Sequence, residues 1–213
     1  MTYNIVRMIF RFFLRFYGRW EIRGVQHIPT SGPAILAPNH VSYLDPLLAA
    51  TPLKRPVWFV AKEELWRVPV LNWLLPRCHA FPIKPGTPDR AALRRALAEL
   101  SAGHLLCIFP EGTRSDDGNL LPAEPGIALL VKHSGAPVIP VAIIGSEKML
   151  PSNARRLRRA KLLVVYGDPI FFTPDSSRDE IVGAVMQAIA DLLTANGRPS
   201  IPIKRTPTPN PSQ

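Results

Sequence analysis

Residues 105–144 read LLCIFPEGTRSDDGNLLPAEPGIALLVKHSGAPVIPVAII. LLCIF (105–109) is a short unbroken apolar run, the pattern of a strand covered on both faces. PGIALLVKHSG (125–135) has helical spacing and stops at Gly135, the residue type that closes helices in the left-handed conformation. PVIPVAII (137–144) is a second apolar strand. Strand, helix and strand in succession make one crossover unit, the building block of a parallel sheet.

The same alternation continues outward. Upstream, PAILAP (33–38) predicts a buried strand, LDPLLAA (44–50) a short helix and VWFVA (57–61) a strand. A helical stretch through LNWLLP precedes a strand at HAFPIK (79–84). Residues 88–102, PDRAALRRALAELSA, predict an amphipathic helix with Thr87 as its cap and Pro88 in its first turn. Downstream, KLLVVYG (161–167) predicts a strand. Ser177 with Glu180 forms a capping box for a last helix running to about Asn196. The expected fold is α/β, with a largely parallel central sheet flanked by helices, over residues 20–197. From Arg198 to Gln213 the chain is rich in Pro, Thr and Ser and reads as a disordered tail.

The composition limits what such a fold serves. The 213 residues are 46% hydrophobic and 20% charged, which excludes wholesale disorder, collagen and a coiled coil. Two cysteines, Cys78 and Cys107, do not make a disulfide framework, and a reducing compartment is the simpler expectation. Cys107, inside LLCIF, reads as a buried small hydrophobe. The 26 basic and 16 acidic residues leave a net charge of +10, so the surface seeks anions. Arg155, Arg156, Arg158, Arg159 and Lys161 form one basic cluster, and the first twenty residues hold another.

That first stretch, YNIVRMIFRFFLRFYGR (3–19), predicts an amphipathic helix over residues 1–19. Arg7, Arg11, Arg15 and Arg19 recur every fourth residue, and aromatic and aliphatic residues fill the remaining girth. A basic stripe beside an aromatic face suits a helix lying in an anionic membrane interface. The alternative is a basic helix folded onto its own domain. No uncharged apolar run approaches the ~18 residues that span a bilayer. Arginines interrupt what would be the core of a secretory signal. Interleaving of the charges with Phe on one helix argues against nucleic acid as the partner.

Two segments carry chemistry. NHVSYLDP places His40 and Asp45 directly after one buried strand, and FPEGTRS places Glu111 and Arg114 after another. In open parallel sheets ligands gather outside the carboxyl ends of strands, so the two clusters can share a crevice. A neutral imidazole takes a proton from a hydroxyl when its other nitrogen donates to a carboxylate, here Asp45. The competing readings are Asp45 as a helix cap before Pro46, and His40 as a satisfied core histidine. Arg114 offers a planar fork of donors to a phosphate, and Glu111 would accept from substrate hydroxyls or orient Arg114. Their alternative is a surface turn with a local ion pair. Ser42 has no nucleophile elbow around it and reads as a turn residue. No further ligands accompany His40 and Asp45 at metal-binding spacing, so no metal is expected. His79 is a spare candidate and reads as structural.

NHVSYLDP and FPEGTRS, in this order and at this distance, resemble the glycerolipid acyltransferase superfamily, in particular bacterial 1-acyl-glycerol-3-phosphate acyltransferases. The resemblance runs from about Trp20 to Ile170. VAKEEL with PVLNWLLPRCHAFPIK resembles the family's second block and APVIPVAIIG its fourth. It implies that His40 is the general base on an acceptor hydroxyl and that Asp45 orients it. The hydroxyl would attack the thioester of acyl-CoA or acyl-carrier protein, a co-substrate, with no cofactor and no acyl-enzyme. Glu111, Gly112, Thr113 and Arg114 would bind the acceptor's phosphate and glycerol. Lys62 would add positive charge, and Pro140 would belong to the acyl-donor side or shape the site. The implied enzyme is a peripheral protein on the cytoplasmic face of the cell membrane, acting in phospholipid synthesis. Two positions depart from the pattern. Pro85 stands where the family usually has Arg, leaving Lys84 as the nearby charge, and Glu124 stands where a Lys is common. Another lysolipid or hydroxylated lipid is therefore an open acceptor, and a non-catalytic lipid binder of the same fold is the remaining alternative.

Overall fold

β2 (Ala34–Pro38) lies at the middle of a seven-stranded sheet, and all five of its residues are buried. AILAP has no polar position because helices cover both faces of this strand. On one side follow β5 (Leu105–Cys107), β3 (Val57–Lys62) and β4 (Ala80–Ile83), all parallel to β2. On the other side lies β6 (Val138–Ile144), also parallel, then β7 (Lys161–Tyr166), antiparallel to β6, and β1 (Arg19–Arg23), parallel to β7. The computed structural model describes residues 2–17, 19–84, 89–151 and 156–199. Pro85, Thr87, Pro88, Arg155 and the tail from residue 200 lie outside the described residues, and so do the expectations that fall on them.

The sheet is thus largely parallel, as the strand–helix alternation requires. The exception has a local cause. β6 and β7 are joined on one end of the sheet through the short helix α6 (Ser146–Met149), so the chain returns without crossing over. β1 was not legible as a strand. RWEIR alternates exposed and half-buried positions and holds only two apolar residues. Its charges suit an outer edge, where they discourage pairing with other chains.

Alternate residues of the central strands feed two core layers. Ile35, Ala37, Leu106, Val138 and Ala142 point toward α4 (Arg90–Ser101), α5 (Gly126–Ser134) and α7 (Arg178–Ala195). Leu36, Leu105, Cys107, Ile139, Val141 and Ile143 point toward α1 (Thr2–Tyr17) and α2 (Asp45–Ala50). Cys107 is fully buried there, and burial pushes its thiol pKa up. Asp89, and not Thr87 as expected, caps α4, which begins at Arg90; it accepts from the amides of Ala91 and Ala92 at 3.0 and 2.9 Å. Gly135 closes α5 at φ 63°, and the Ser177–Glu180 box opens α7. A further helix, α3 (Pro69–Arg77), follows β3 and leaves Val70 and Trp73 exposed.

α1 packs against the domain along one face and is exposed along the other. Tyr3 and Leu14 are buried, and Phe10, Phe13 and Tyr17 pack beside them on the α2 side of the sheet. The Tyr3 hydroxyl accepts from the Val57 amide at 3.1 Å, and Arg7 donates to the carbonyls of Leu53 and Lys54. The helix is therefore part of the domain it precedes. Its outer face is also apolar, with Met8, Ile9, Phe12 and Phe16 each more than 60% exposed. Arg7, Arg11 and Arg15 mark the seam between the two faces.

Candidate active site

β2 ends at Pro38, and the next residue is tied down at once. Asn39 is buried, its side chain donating to the Ile143 carbonyl at 3.1 Å and accepting from the Ile143 amide at 2.7 Å. This pins the exit of β2 to β6 and delivers His40 at the carboxyl end of the sheet. Asp45, the first residue of α2, turns back under it. Its Oδ2 accepts from the amides of Val41 and Ser42 at 2.6 and 2.7 Å and from His40 Nδ1 at 2.9 Å. Asp45 is wholly buried and caps the preceding loop rather than its own helix. Because a carboxylate only accepts, Nδ1 carries the imidazole proton. Nε2 keeps its lone pair and has no hydrogen-bond partner among the described residues. The ring lies on Phe109, with centroids 4.0 Å apart.

FPEGTRS meets this loop from β5. The chain leaves the sheet after Cys107, two residues earlier than LLCIF suggested, and turns through Gly112 at φ 67°. Glu111 Oε1 accepts from the His40 amide at 2.7 Å and Oε2 from the Leu121 amide at 2.8 Å. The Ser115 amide donates to the His40 carbonyl at 2.8 Å. The backbone of His40 is thus held on both sides by the second motif. Glu111 is only 3% exposed, with both oxygens engaged, so its carboxylate joins the two loops and does not face a substrate.

Burial raises the Glu111 pKa to about 7, although the two amides pull it down. The folded state therefore favours its proton, and stability falls as pH rises from about 4.5 to about 7. Replacing Glu111 by Gln removes this dependence. The stability of the native protein relative to Glu111→Gln is expected to drop by roughly 3 kcal/mol across that window. Urea unfolding of both proteins at stepped pH measures it, and parallel profiles would contradict it.

Arg114 lies over the Tyr43 ring, 3.7 Å from its centroid, which brings the second motif against the first. Its Nε is buried and has no hydrogen-bond partner among the described residues. Lys62, at the end of β3, donates to the Thr113 hydroxyl at 3.5 Å. Gly112 and Thr113 are exposed on the same turn. Among the remaining expected residues, Lys84 is exposed just past β4, three strand spacings or about 14 Å from β2. Pro140 is buried within β6, four residues before its end, where it packs against Gly167 and accepts from the Gly167 amide. Ser42 is fully buried and donates to the Leu150 carbonyl at 2.7 Å, the part of a turn residue. His79 precedes β4, at the opposite end of the sheet, stacked between Tyr3 and Trp58. No group of acids, histidines or cysteines among the described residues is arranged to hold a metal.

Three residues of this site had no assigned task in the sequence: Asn39, Tyr43 and Phe109. All lie inside the two motifs. The Tyr43 stacking on Arg114 and the Phe109 stacking under His40 are contacts between segments about seventy residues apart, and spacing alone does not show them.

A histidine–aspartate pair stands at the strand ends of an α/β sheet, and the neighbouring turn carries the Arg114 guanidinium and meets the Lys62 ammonium. Residues 19–144 match the model of the Acyltransferase family, and the chain belongs to that family. It is 29% identical, over 71% of its length, to a chloroplastic 1-acyl-sn-glycerol-3-phosphate acyltransferase of Brassica napus, covering 45% of that protein. It is 32% identical, over 83% of its length, to a 1-acyl-sn-glycerol-3-phosphate acyltransferase of Limnanthes alba, covering 62% of it. The crystal structure of the 1-acyl-sn-glycerophosphate acyltransferase PlsC from Thermotoga maritima superposes with a TM-score of 0.78 at 25% identity, over 91% of this chain and 79% of that one. The chain thus spans about half the length of the plant relatives it matches.

Proposed function

We propose that this protein is an O-acyltransferase that moves a fatty acyl group from acyl-CoA or acyl-carrier protein to the free hydroxyl of 1-acyl-glycerol-3-phosphate. The observation that carries the reading is the His40 Nδ1–Asp45 Oδ2 bond at 2.9 Å, which leaves Nε2 as a base on the crevice shared with Arg114. Nε2 takes the proton of the acceptor hydroxyl as its oxygen attacks the thioester carbonyl carbon. The tetrahedral intermediate collapses, the carbon–sulfur bond breaks, and the departing thiolate receives the proton from the imidazolium. Asp45 stabilises that imidazolium. Arg114, Lys62, Gly112 and Thr113 take the acceptor's phosphate and glycerol, and Glu111 positions the two loops. Lys84 adds charge at the sheet's far edge, and Pro140 shapes β6 beneath the site. No helix among the described residues is long and apolar enough to cross a membrane. The exposed outer face of α1 supports peripheral attachment at the cytoplasmic face of the cell membrane, where a lysolipid acceptor resides, in phospholipid synthesis.

Purified protein given acyl-CoA or acyl-carrier protein is expected to release free thiol only when 1-acyl-glycerol-3-phosphate is present. Thiol release independent of that acceptor would sink the reading. A less anionic lysolipid is the second reading, favoured by one contact. A Cβ on Gly112 would come within 2.8 Å of Glu124 Cγ, so an acidic side chain lies against the expected phosphate turn. Arg114→Lys separates the two acceptors. It exchanges a bidentate fork for a point charge and is expected to raise KM for the phosphorylated acceptor by ~10-fold or more. An equal KM for monoacylglycerol in both proteins shows that the fork reads phosphate, and an unchanged KM for the phosphorylated acceptor assigns it elsewhere.

A further inference from the structure

A second basic site lies outside the crevice of His40. Arg15 and Phe16 of α1, Arg19 of β1, and Arg159 and Lys161 at the start of β7 line a cleft of about 540 Å³. Tyr17, also on its wall, ties the two segments together: its hydroxyl donates to the Leu157 carbonyl at 3.0 Å, and Arg159 approaches its ring at 5.8 Å. The four cations are exposed, and no acidic side chain among the described residues lines the cleft. Four like charges brought together by three separate segments repel one another, so the arrangement suits an anion that is not part of the fold.

The topology fixes where this cleft opens. β7 runs antiparallel to β6, and β1 runs parallel to β7 with Arg19 paired to Lys161. The amino ends of β1 and β7 therefore lie at the same end of the sheet as the carboxyl ends of β2 and β5, where His40 and Arg114 stand. The lateral separation of β1 from β2 is three strand spacings, about 14 Å. Phe16 on the cleft's wall continues the outer apolar face of α1 through Phe12 and Ile9, and Leu157, whose carbonyl takes the Tyr17 hydroxyl, is also exposed. An apolar face thus runs directly into a cationic cleft, on the rim that also carries the catalytic crevice.

We propose that this cleft binds the phosphate headgroup of an anionic membrane phospholipid, distinct from the acceptor, while Phe12 and Phe16 enter the acyl region. This rests on the reading of α1 as facing a membrane and adds to it a headgroup site with named residues. Each of these cations beside an anionic leaflet is worth about fivefold in binding. The phospholipid anchors the catalytic rim against the bilayer, so that a lysolipid reaches His40 laterally.

The test is sedimentation with vesicles of phosphatidylcholine alone and of phosphatidylcholine containing one third phosphatidylglycerol. The variant Arg19→Gln/Arg159→Gln/Lys161→Gln changes only exposed side chains, and its thermal unfolding is compared with the native protein's. It is expected to lose affinity for the anionic vesicles by roughly 100-fold, and to bind phosphatidylcholine as before. The charge-keeping variant Arg19→Lys/Arg159→Lys is expected to retain most of the anionic preference. A triple variant that keeps the preference would overturn the cleft. Phe12→Ser/Phe16→Ser is expected to weaken binding to both vesicles; if it changes neither, the membrane reading of α1 fails instead. Inorganic phosphate titrated into the native protein separates the two sources of phosphate. Weak, non-saturating binding agrees with a lipid headgroup, and saturable binding lost in the triple variant would replace the lipid by a free anion.

Discussion

His40→Ala is expected to lower kcat by about 10³–10⁴-fold while the protein remains folded. The size follows from what is removed. Nε2 is the lone pair of the dyad that the Asp45 contact leaves unused, and neither Ser42 nor His79 stands in for it. Ser42 donates to Leu150, and His79 lies at the opposite end of the sheet. Survival of the fold follows from the backbone. The amide of residue 40 still donates to Glu111 Oε1, and its carbonyl still accepts from the Ser115 amide. Asp45 keeps the Val41 and Ser42 amides. The lost contact with Phe109 makes the thermal midpoint fall by only a few degrees. Thiol-release kinetics with saturating acceptor, beside a thermal melt, measure both quantities. Turnover at the native rate would assign the base to another group and end the mechanism proposed here.

The parts of this site that a sequence reveals are those carried by single segments. The dyad was legible because His40 and Asp45 lie in one loop, between a buried run and a proline-started helix. The α/β architecture was legible because each central strand is an unbroken apolar run and the intervening segments carry helical spacing, with a capping box opening α7 and Gly135 closing α5. Three things were not. Whether Glu111 meets substrate or backbone depends on where the amides of His40 and Leu121 end up, and FPEGTRS contains neither. β1 was hidden because an edge strand needs only one covered face, and Trp20 and Ile22 are too few to declare a period. The N-terminal helix shows the third kind of limit. Its girth of apolar residues is the sum of a face packed on the core and a face left exposed, and the sequence gives only the total.

Asp45→Asn is expected to cost nearly as much activity as removing the imidazole, on the order of 10³–10⁴-fold in kcat, by a different route. One oxygen of Asp45 serves three donors, and its other oxygen is buried with no partner among the described residues. An Asn that turns its oxygen to the Val41 and Ser42 amides keeps the loop, but it places an NH2 in the buried position and withdraws the negative charge from His40. The imidazolium formed during transfer then lacks its counter-ion. An Asn turned the other way donates to His40 Nδ1, which forces the ring proton onto Nε2, where it cannot accept from a hydroxyl. Either orientation stops the base. Asp45→Ala goes further, because it leaves the Val41 and Ser42 amides unsatisfied in a wholly buried site. At about 1–3 kcal/mol for each of these two orphaned donors, the loss is about 2–6 kcal/mol, a large share of the about 5–15 kcal/mol that holds a typical domain folded. The two variants therefore separate the roles of one carboxylate. Asn is expected to be folded and inactive, and Ala destabilised as well as inactive. Denaturant unfolding together with thiol-release rates distinguishes them. An Asp45→Asn protein with native kcat would mean that the 2.9 Å contact to His40 holds a loop and has no part in the chemistry.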